Sequence, residues 1–298
     1  MPEPERRRWR DLVERRLPEA ARPDWPVHLD HCFARILLDN TCGGPWRESV
    51  GAPAWANMPL DQLGAATALG EAVLAGQTDL DWLNRRSLAL RDKPPGRPRG
   101  PGGARAAPPV SLGDGDLILR RWRPGDEVAL AALNADPAVM RHFPAVKDAA
   151  ASRVEARSLA RRFRVDGFGP WAVEVPGQGF VGFVGGARVL RVLPFPGGER
   201  PGETVEIGWR LARSAWGRGI ATRAARHALA DLFGRCGLDA VVAFTAEGNA
   251  ASRRVMERLG MRATGGFRHP ALPPDHALAP HLLYRLPAAL FESERSGA

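Results

Sequence analysis

Residues Val205–Ala228 read VEIGWRLARSAWGRGIATRAARHA. Val205, Ile207, Trp209 and Leu211 alternate with Glu206, Gly208 and Arg210, the period of a strand that buries one face. Trp216-Gly217-Arg218-Gly219 then makes a tight turn. The stretch Ile220–Phe233 follows, with Ala221, Ala224, Ala225, Ala228, Leu229 and Leu232 at the spacing of a helix. Glycines let backbone amides approach a ligand, and the first amides of a helix have no acceptor of their own. With the positive end of the helix dipole they form an anion site, for which a pyrophosphate is the natural guest. Arg218 and Arg223 add charge nearby. The Walker pattern is excluded because no Gly-Lys-Ser/Thr follows. Thr222 stands where a Rossmann fingerprint needs its third glycine.

Strands and helices alternate on both sides of this segment. Leu117–Arg121 reads as a strand, Asp126–Asn134 and Ser152–Val165 as helices. Trp171–Val175 and Phe180–Val189 read as a hairpin around Pro176–Gly179. Leu238–Thr245 reads as a strand. Asn249–Leu259 reads as a helix between an Asn cap and Gly260, and a last strand lies near Leu282–Leu286.

Upstream, Lys93–Pro109 is KPPGRPRGPGGARAAPP, in which ten of 17 residues are Pro or Gly. Such a stretch buries too little apolar area to offset its ordering entropy and reads as a linker. The expected organisation is therefore a small helical domain over 1–92, a linker over 93–116 and a larger domain over 117–290. In the first domain, Leu60–Gly76 places Leu60, Leu63, Ala66, Leu69, Val73 and Leu74 near one face. Leu29–Asp39 is a second helix, with Asn40 and Gly43 as stop signals. Trp9, Trp25, Trp46, Trp55 and Trp82 offer apolar anchors.

The net charge of +9 is uneven. Residues 1–92 hold 12 Arg against 14 acidic residues, so the basic excess lies in the linker and the second domain. Only Lys93 and Lys147 are lysines, and so diffuse an arginine excess argues against a nucleic-acid partner, although it suits an anionic ligand. No apolar run is long enough to span a membrane. Three cysteines, Cys32, Cys42 and Cys236, are too few for a disulfide framework, and with no apolar leader a cytoplasmic location is expected.

The pattern Trp216-x-x-Gly219-x-Ala221 resembles the CoA-binding signature of the GNAT superfamily of acetyl-CoA-dependent N-acetyltransferases. The Trp form, WGxGxA, is that of its RimJ/RimL-like branch. Leu117–Pro144, with DPAVMRHFP at its end, Glu247–Met261 (EGNAASRRVMERLGM) and Phe267–Leu286 are similar to further segments of that branch. The likeness runs in order over Leu117–Pro287. It implies a GNAT fold of the α/β (α+β) class, a mixed, mostly antiparallel central sheet flanked by helices, preceded here by a small all-α domain. It also implies acetyl-CoA as cosubstrate and a primary amine as acceptor, either a protein N-terminus or a small molecule; a homodimer is a further expectation. Carried over residue by residue, it implies that Leu211, Ala212 and Arg213 meet the pantetheine arm, with the Leu211 N–H polarising the thioester carbonyl. Arg218, Gly219, Ile220, Ala221 and Thr222 would hold the pyrophosphate. Asn249 and Ser252 would line the other side of the cleft.

Attack by the amine requires that it first lose a proton. Glu206 is the first candidate base, with His269, His276 and His281 as alternatives. The tyrosine that many members use as a thiol acid is replaced by Met256, and the only tyrosine is Tyr284. Ser252 is a candidate thiol partner. No metal is expected, since neither the three histidines nor His28, His31, Cys32 and Cys42 have a regular ligand spacing. His31, Arg35, Asp39 and Asn40 share a helix face and read as a polar site or partner surface. Two other classes stand beside the enzyme: an acetyl-CoA-binding sensor without turnover, and a nucleic-acid module with steeply salt-dependent binding.

Overall fold

The computed structural model describes residues 4–93, 109 and 111–296. Most of the Pro/Gly-rich stretch, residues 94–108 and 110, lies outside the described residues. The chain divides into two compact units. Of the described residues, the first holds 4–93 with Val189–Leu193 and Arg200–Glu203. The second holds the rest.

The first unit is helical. Helix α1 (Pro4–Asp11) runs through a π turn at Leu12–Arg16 into α2 (Leu17–Glu19). Then follow α3 (Asp30–Cys42), the single turn α4 (Ala54–Asn57), α5 (Leu60–Leu74) and α6 (Leu80–Leu90). Leu12, Phe33, Ile36, Leu37, Leu63, Leu69 and Leu83 fill its core, each worth about 1.5–3 kcal/mol when buried. Of the five expected tryptophan anchors only Trp9 is fully buried, and the other four pack around the core's edge. Leu60, expected inside, is exposed: it opens α5 before the helix reaches the core. Helix α3 runs past Asn40 and stops at Gly43, which takes φ +66°.

The polar face expected on α3 is an internal seam. Asp39 accepts from the Arg91 guanidinium at 2.5 and 2.7 Å, from Ser87 Oγ at 2.6 Å and from the Trp46 amide at 3.0 Å. Asn40 donates to the carbonyls of Ile36 and Leu83. Arg35 donates to Ser87 and Asn84. These groups satisfy one another between α3 and α6, as buried polar groups must. Of the four, only His31 points outward. Burial, with Asp39 adding to it, pushes the Cys42 thiol up to about 12.

The second unit is built on an eight-stranded sheet in the order β1-β2-β3-β4-β5-β6-β8-β7. Its strands are β1 (Ser111–Asp114), β2 (Leu117–Arg120), β3 (Pro170–Val175), β4 (Gly179–Arg188), β5 (Val205–Leu211), β6 (Ala240–Ala246), β7 (Arg262–Arg268) and β8 (Pro280–Pro287). Every neighbouring pair is antiparallel except β5–β6. Strand β1 lies within the stretch read as linker, and β7 carries too many glycines and arginines to read as a strand.

Helices α7 (Asp126–Ala135), the turn α8 (Pro137–Met140) and α9 (Ala149–Val165) cover one face over β2–β4. Helices α10 (Ile220–Ala230) and α11 (Ala250–Arg258) cover the other, and α12 (Ala288–Ser296) follows β8. On β5, the side chains of Val205, Ile207 and Leu211 enter the core under α10 with Ala224, Ala225, Ala228 and Leu229. Glu206, Gly208 and Arg210 therefore face the α7–α9 side. Arg210 is buried there: its Nη1 donates to Asn134 Oδ1 at 2.6 Å and to Glu155 at 3.2 Å, and its guanidinium lies 4.5 Å from the Phe143 ring centre.

Candidate active site

The site follows from how β5 meets β6. Their parallel ladder has one paired position, Glu206 with Val242, and beyond it β5 stays paired only with β4. The Ala212 amide donates to the Val181 carbonyl at 2.8 Å. In an antiparallel ladder, pairs that exchange hydrogen bonds alternate with pairs that do not. Gly182–Leu211 and Val184–Trp209 are thus the non-bonded pairs. The Trp209 and Leu211 amides turn away from β4, toward the opening between β5 and β6. The same bond commits the Ala212 N–H to the sheet, so any contact from Ala212 to the cofactor is made by other atoms than its amide.

Beyond Leu211, Arg213–Ala215 forms a single 3-10 turn. The Trp216 indole Nε1–H donates back to the Leu211 carbonyl at 2.8 Å, which fixes the glycine turn to the end of β5. Gly217 and Gly219 take φ +71° and +70°, the left-handed region that glycine enters without strain. Gly219 caps α10, and no side chain caps this end among the described residues. The first intrahelical bond is Arg223 N–H to Gly219 C=O, so the amides of Ile220, Ala221 and Thr222 point out unpaired. A Cβ placed on Gly219 would meet nothing within 4 Å. A row of free amides, open space in front of it and an open strand edge leading to it fit a pyrophosphate with an amide-bearing arm.

Two expected contributors differ in detail. The Thr222 side chain is buried, so only its amide is available. Arg223 is turned the other way and forms ion pairs with Asp114 and Asp116 of the β1–β2 turn. Arg218 and Arg213 are exposed at the glycine turn.

Across the opening, Asn249 caps α11: its Oδ1 accepts from the Ser252 amide at 3.2 Å, and its Nδ2 donates to Thr245 Oγ1 at 2.9 Å and Ser252 Oγ at 3.2 Å. Asn249 and Ser252 are thus one hydrogen-bonded unit beyond the end of β6. Met256 is buried in the core. Tyr284, on β8, is only 4% exposed, and its hydroxyl stands 3.4 Å from both Arg253 Nε and Glu257 Oε1 of α11.

Glu206 is half-buried on the α7–α9 face and has no hydrogen-bond or ion-pair partner among the described residues. The histidines sit further along the same sheet. His281 lies opposite Ala246, and its Nδ1 is 3.1 Å from the Ala279 carbonyl. His269 is buried beside it, with ring centres 5.1 Å apart and its Nδ1 accepting from the Ala271 amide. His276 accepts from the Leu278 amide in the β7–β8 connection. Among the described residues, no three His, Cys, Asp or Glu side chains are grouped as a metal site. No helix among them is long and apolar enough to cross a membrane.

An open β5 edge leading to the free amides of α10 suits an acyl-CoA, and the chain belongs to the GNAT family of acetyltransferases. The family's acetyltransferase (GNAT) domain matches residues 116–262. A Bacillus subtilis (strain 168) relative, the uncharacterized protein YkkB, is 33% identical over 155 residues, which are 51% of this chain and 85% of the relative. Among solved structures, a GNAT-family acetyltransferase from Bacillus anthracis is 23% identical, with a TM-score of 0.49 over 60% of this chain and 99% of that one. RimJ of Mycobacterium smegmatis, in complex with CoA-disulfide, is 25% identical, with a TM-score of 0.46 over 62% of this chain and 93% of that one. The chemistry is acetyl transfer with acetyl-CoA as cosubstrate.

Proposed function

We propose that the protein is an N-acetyltransferase acting on a primary amine, that the activity resides in residues 117–290, and that Glu206 is its general base. The observation that carries this reading is a carboxylate without a partner on the same strand that turns two amides into the cofactor opening. An amine is mostly protonated at neutral pH, and Glu206 takes its proton, directly or through one water. The amine nitrogen then bonds to the acetyl carbon while the Leu211 N–H donates to the carbonyl oxygen, where charge gathers. As the carbon–sulfur bond breaks, the sulfur leaves with its electron pair, and the new amide nitrogen gives up its second proton to solvent water. A thiol is a good enough leaving group for this to proceed with Met256 in the usual place of a tyrosine; the Ser252 hydroxyl gives the thiolate its proton and is reprotonated by solvent. Arg218 and the amides of Gly219 to Thr222 hold the pyrophosphate. Three free cysteines suit a reducing compartment, and we take the cytoplasm as its location.

Steady-state CoA-thiol release with a panel of primary amines, among them peptides with free N-termini, tests the reading. Amine-dependent release with a matching acetylated product is expected. Tight acetyl-CoA binding with no amine-dependent release would overturn it in favour of a sensor.

A further inference from the structure

Gly208 lies between Glu206 and Arg210 on the α7–α9 face of β5. Nothing in the fold requires a glycine there. Its φ lies outside the left-handed region, and a Cβ added to it would meet no atom within 4 Å. Its partner on β4 is different: Gly185 takes φ +156°, and a Cβ there would strike Gly169 O at 2.5 Å and Pro170 Cα at 2.8 Å. Packing accounts for Gly185 and leaves Gly208 unaccounted for. Glycine in a strand costs stability, and one such reason for it is close approach of a ligand.

The rows of side chains on this face define the space. Ala187, Glu206 and Val242 form one row. Phe183 and Arg210 form another four residues further on, with Phe143 stacked on the Arg210 guanidinium. Between them the row of Gly185 and Gly208 is bare, and the next residue on this face of β6 is Phe244, packed with Phe195 and Phe267. The result is a gap in the side-chain rows about one residue wide, with the Glu206 carboxylate on one flank, Phe183 and Arg210 on the other, and Phe244 on β6 at its end. Two residues along a strand are roughly 6.8 Å, so an amine over Gly208 is within reach of Glu206 through one water. It also stands over the strand whose Trp209 and Leu211 amides enter the opening.

We infer that Gly208 is a specificity-determining residue, kept bare so that the acceptor's stem passes over it, and that the preferred acceptor is a primary amine on an unbranched apolar carbon stem. The inference rests on the amine-acetylation reading above. The stem itself fills the volume that Gly208 leaves empty, so a branch on the carbon bearing the amine finds no further room, and a side chain on residue 208 takes the stem's own volume away.

The test uses the full chain with Gly208→Ala and Gly208→Val. Thermal midpoints, acetyl-CoA dissociation constants by calorimetry, and kcat/KM are measured for unbranched amines and for amines methylated at the adjacent carbon. Wild type is expected to prefer unbranched amines about tenfold, the scale of one methyl group in a fitted pocket. Gly208→Ala should lose about tenfold in kcat/KM on unbranched amines and Gly208→Val about a hundredfold. Thermal midpoints should not fall, and the acetyl-CoA constant should stay within twofold. Unchanged kcat/KM in both variants would overturn the inference and leave amine acetylation standing. So would a fall in the midpoint of Gly208→Ala, which would make the glycine a packing need, or a tenfold loss of acetyl-CoA binding, which would assign the space to the cofactor. No turnover of any amine by wild type would remove the parent reading, and this one with it.

Discussion

The Trp216 indole Nε1–H donates to the Leu211 carbonyl at 2.8 Å, joining the turn that presents the α10 amides to the strand whose Leu211 amide faces the opening between β5 and β6. The ring is 42% exposed, so it contributes little to the core and acts as a tether. Trp216→Phe keeps an aromatic ring and loses the donor. A hydrogen bond of this kind is worth about 1 kcal/mol net, and we expect acetyl-CoA affinity to fall about fivefold with the thermal midpoint nearly unchanged. Calorimetry on the folded variant checks this, and unaltered affinity would show that the turn keeps its place without the bond.

Gly219 is tested by a pair of substitutions. Asn and Asp both enter the left-handed region more readily than other side chains, so at φ +70° they carry similar backbone strain. Only Asp adds negative charge beside the free amides. Gly219→Asp should weaken acetyl-CoA binding by more than tenfold, about 1.4 kcal/mol, and Gly219→Asn clearly less. Equal losses in the two variants would assign the effect to strain and not to phosphate repulsion.

How far these residues were legible in the sequence depends on whether their partners are local. The alternation of Val205–Leu211, the glycine turn and the Asn249 cap are short-range patterns, and the strand, both helices and their free ends follow from them. Ion-pair partners far along the chain are not legible. Arg223 looked free to meet phosphate because Asp114 and Asp116 stood in a stretch whose Pro/Gly content hid the β1–β2 turn. Asp39 and Asn40 looked like a surface because Arg86, Ser87 and Arg91 are roughly fifty residues away. That the Ala212 N–H is spent on β4 is hidden for a subtler reason: which amides face a neighbouring strand depends on register, and composition carries no record of register. The bare row at Gly208 is invisible for the same reason.

The buried group Arg210–Glu155–Asn134 ties β5 to α7 and α9, with Lys147 3.0 Å from Glu155. Burial alone would push the Glu155 carboxyl up, but the charges of Arg210 and Lys147 and the hydrogen bonds from Lys147 and Asn134 hold it below its usual range. A carboxyl depressed in the folded state adds stability that is present above its unfolded value, near 4.3, and lost as pH falls through the folded value. Glu155→Gln leaves Arg210 buried without its counter-charge, and breaking such a pair costs about 3–5 kcal/mol. We expect that deficit at pH 7 in urea unfolding, shrinking as pH drops below about 4, where wild type loses the same charge. A deficit that persists unchanged at pH 3 would mean that packing, not charge, is what the substitution removes.

Glu206→Gln addresses the chemistry. Gln keeps the size of the side chain and its capacity for hydrogen bonding but takes up no proton. The cofactor contacts assigned here are backbone amides beyond Leu211 and at the start of α10, and none passes through the Glu206 side chain. Acetyl-CoA affinity and its KM should therefore hold within about twofold. Turnover should fall by roughly 10²–10⁴, the usual worth of a general base. The pH dependence separates this from structural damage. An amine of lysine-like basicity is mostly protonated below pH 9, so a variant without a base depends on the small free-amine fraction, which grows tenfold per pH unit. The variant's kcat/KM should rise with that slope up to the amine's own ionisation, while wild type flattens earlier. A uniform loss, the same factor at every pH from about 6 to 9, would point to misplacement of β5. Full activity throughout would make Glu206 a spectator and direct the search to His281, the half-buried imidazole on the same face of the sheet.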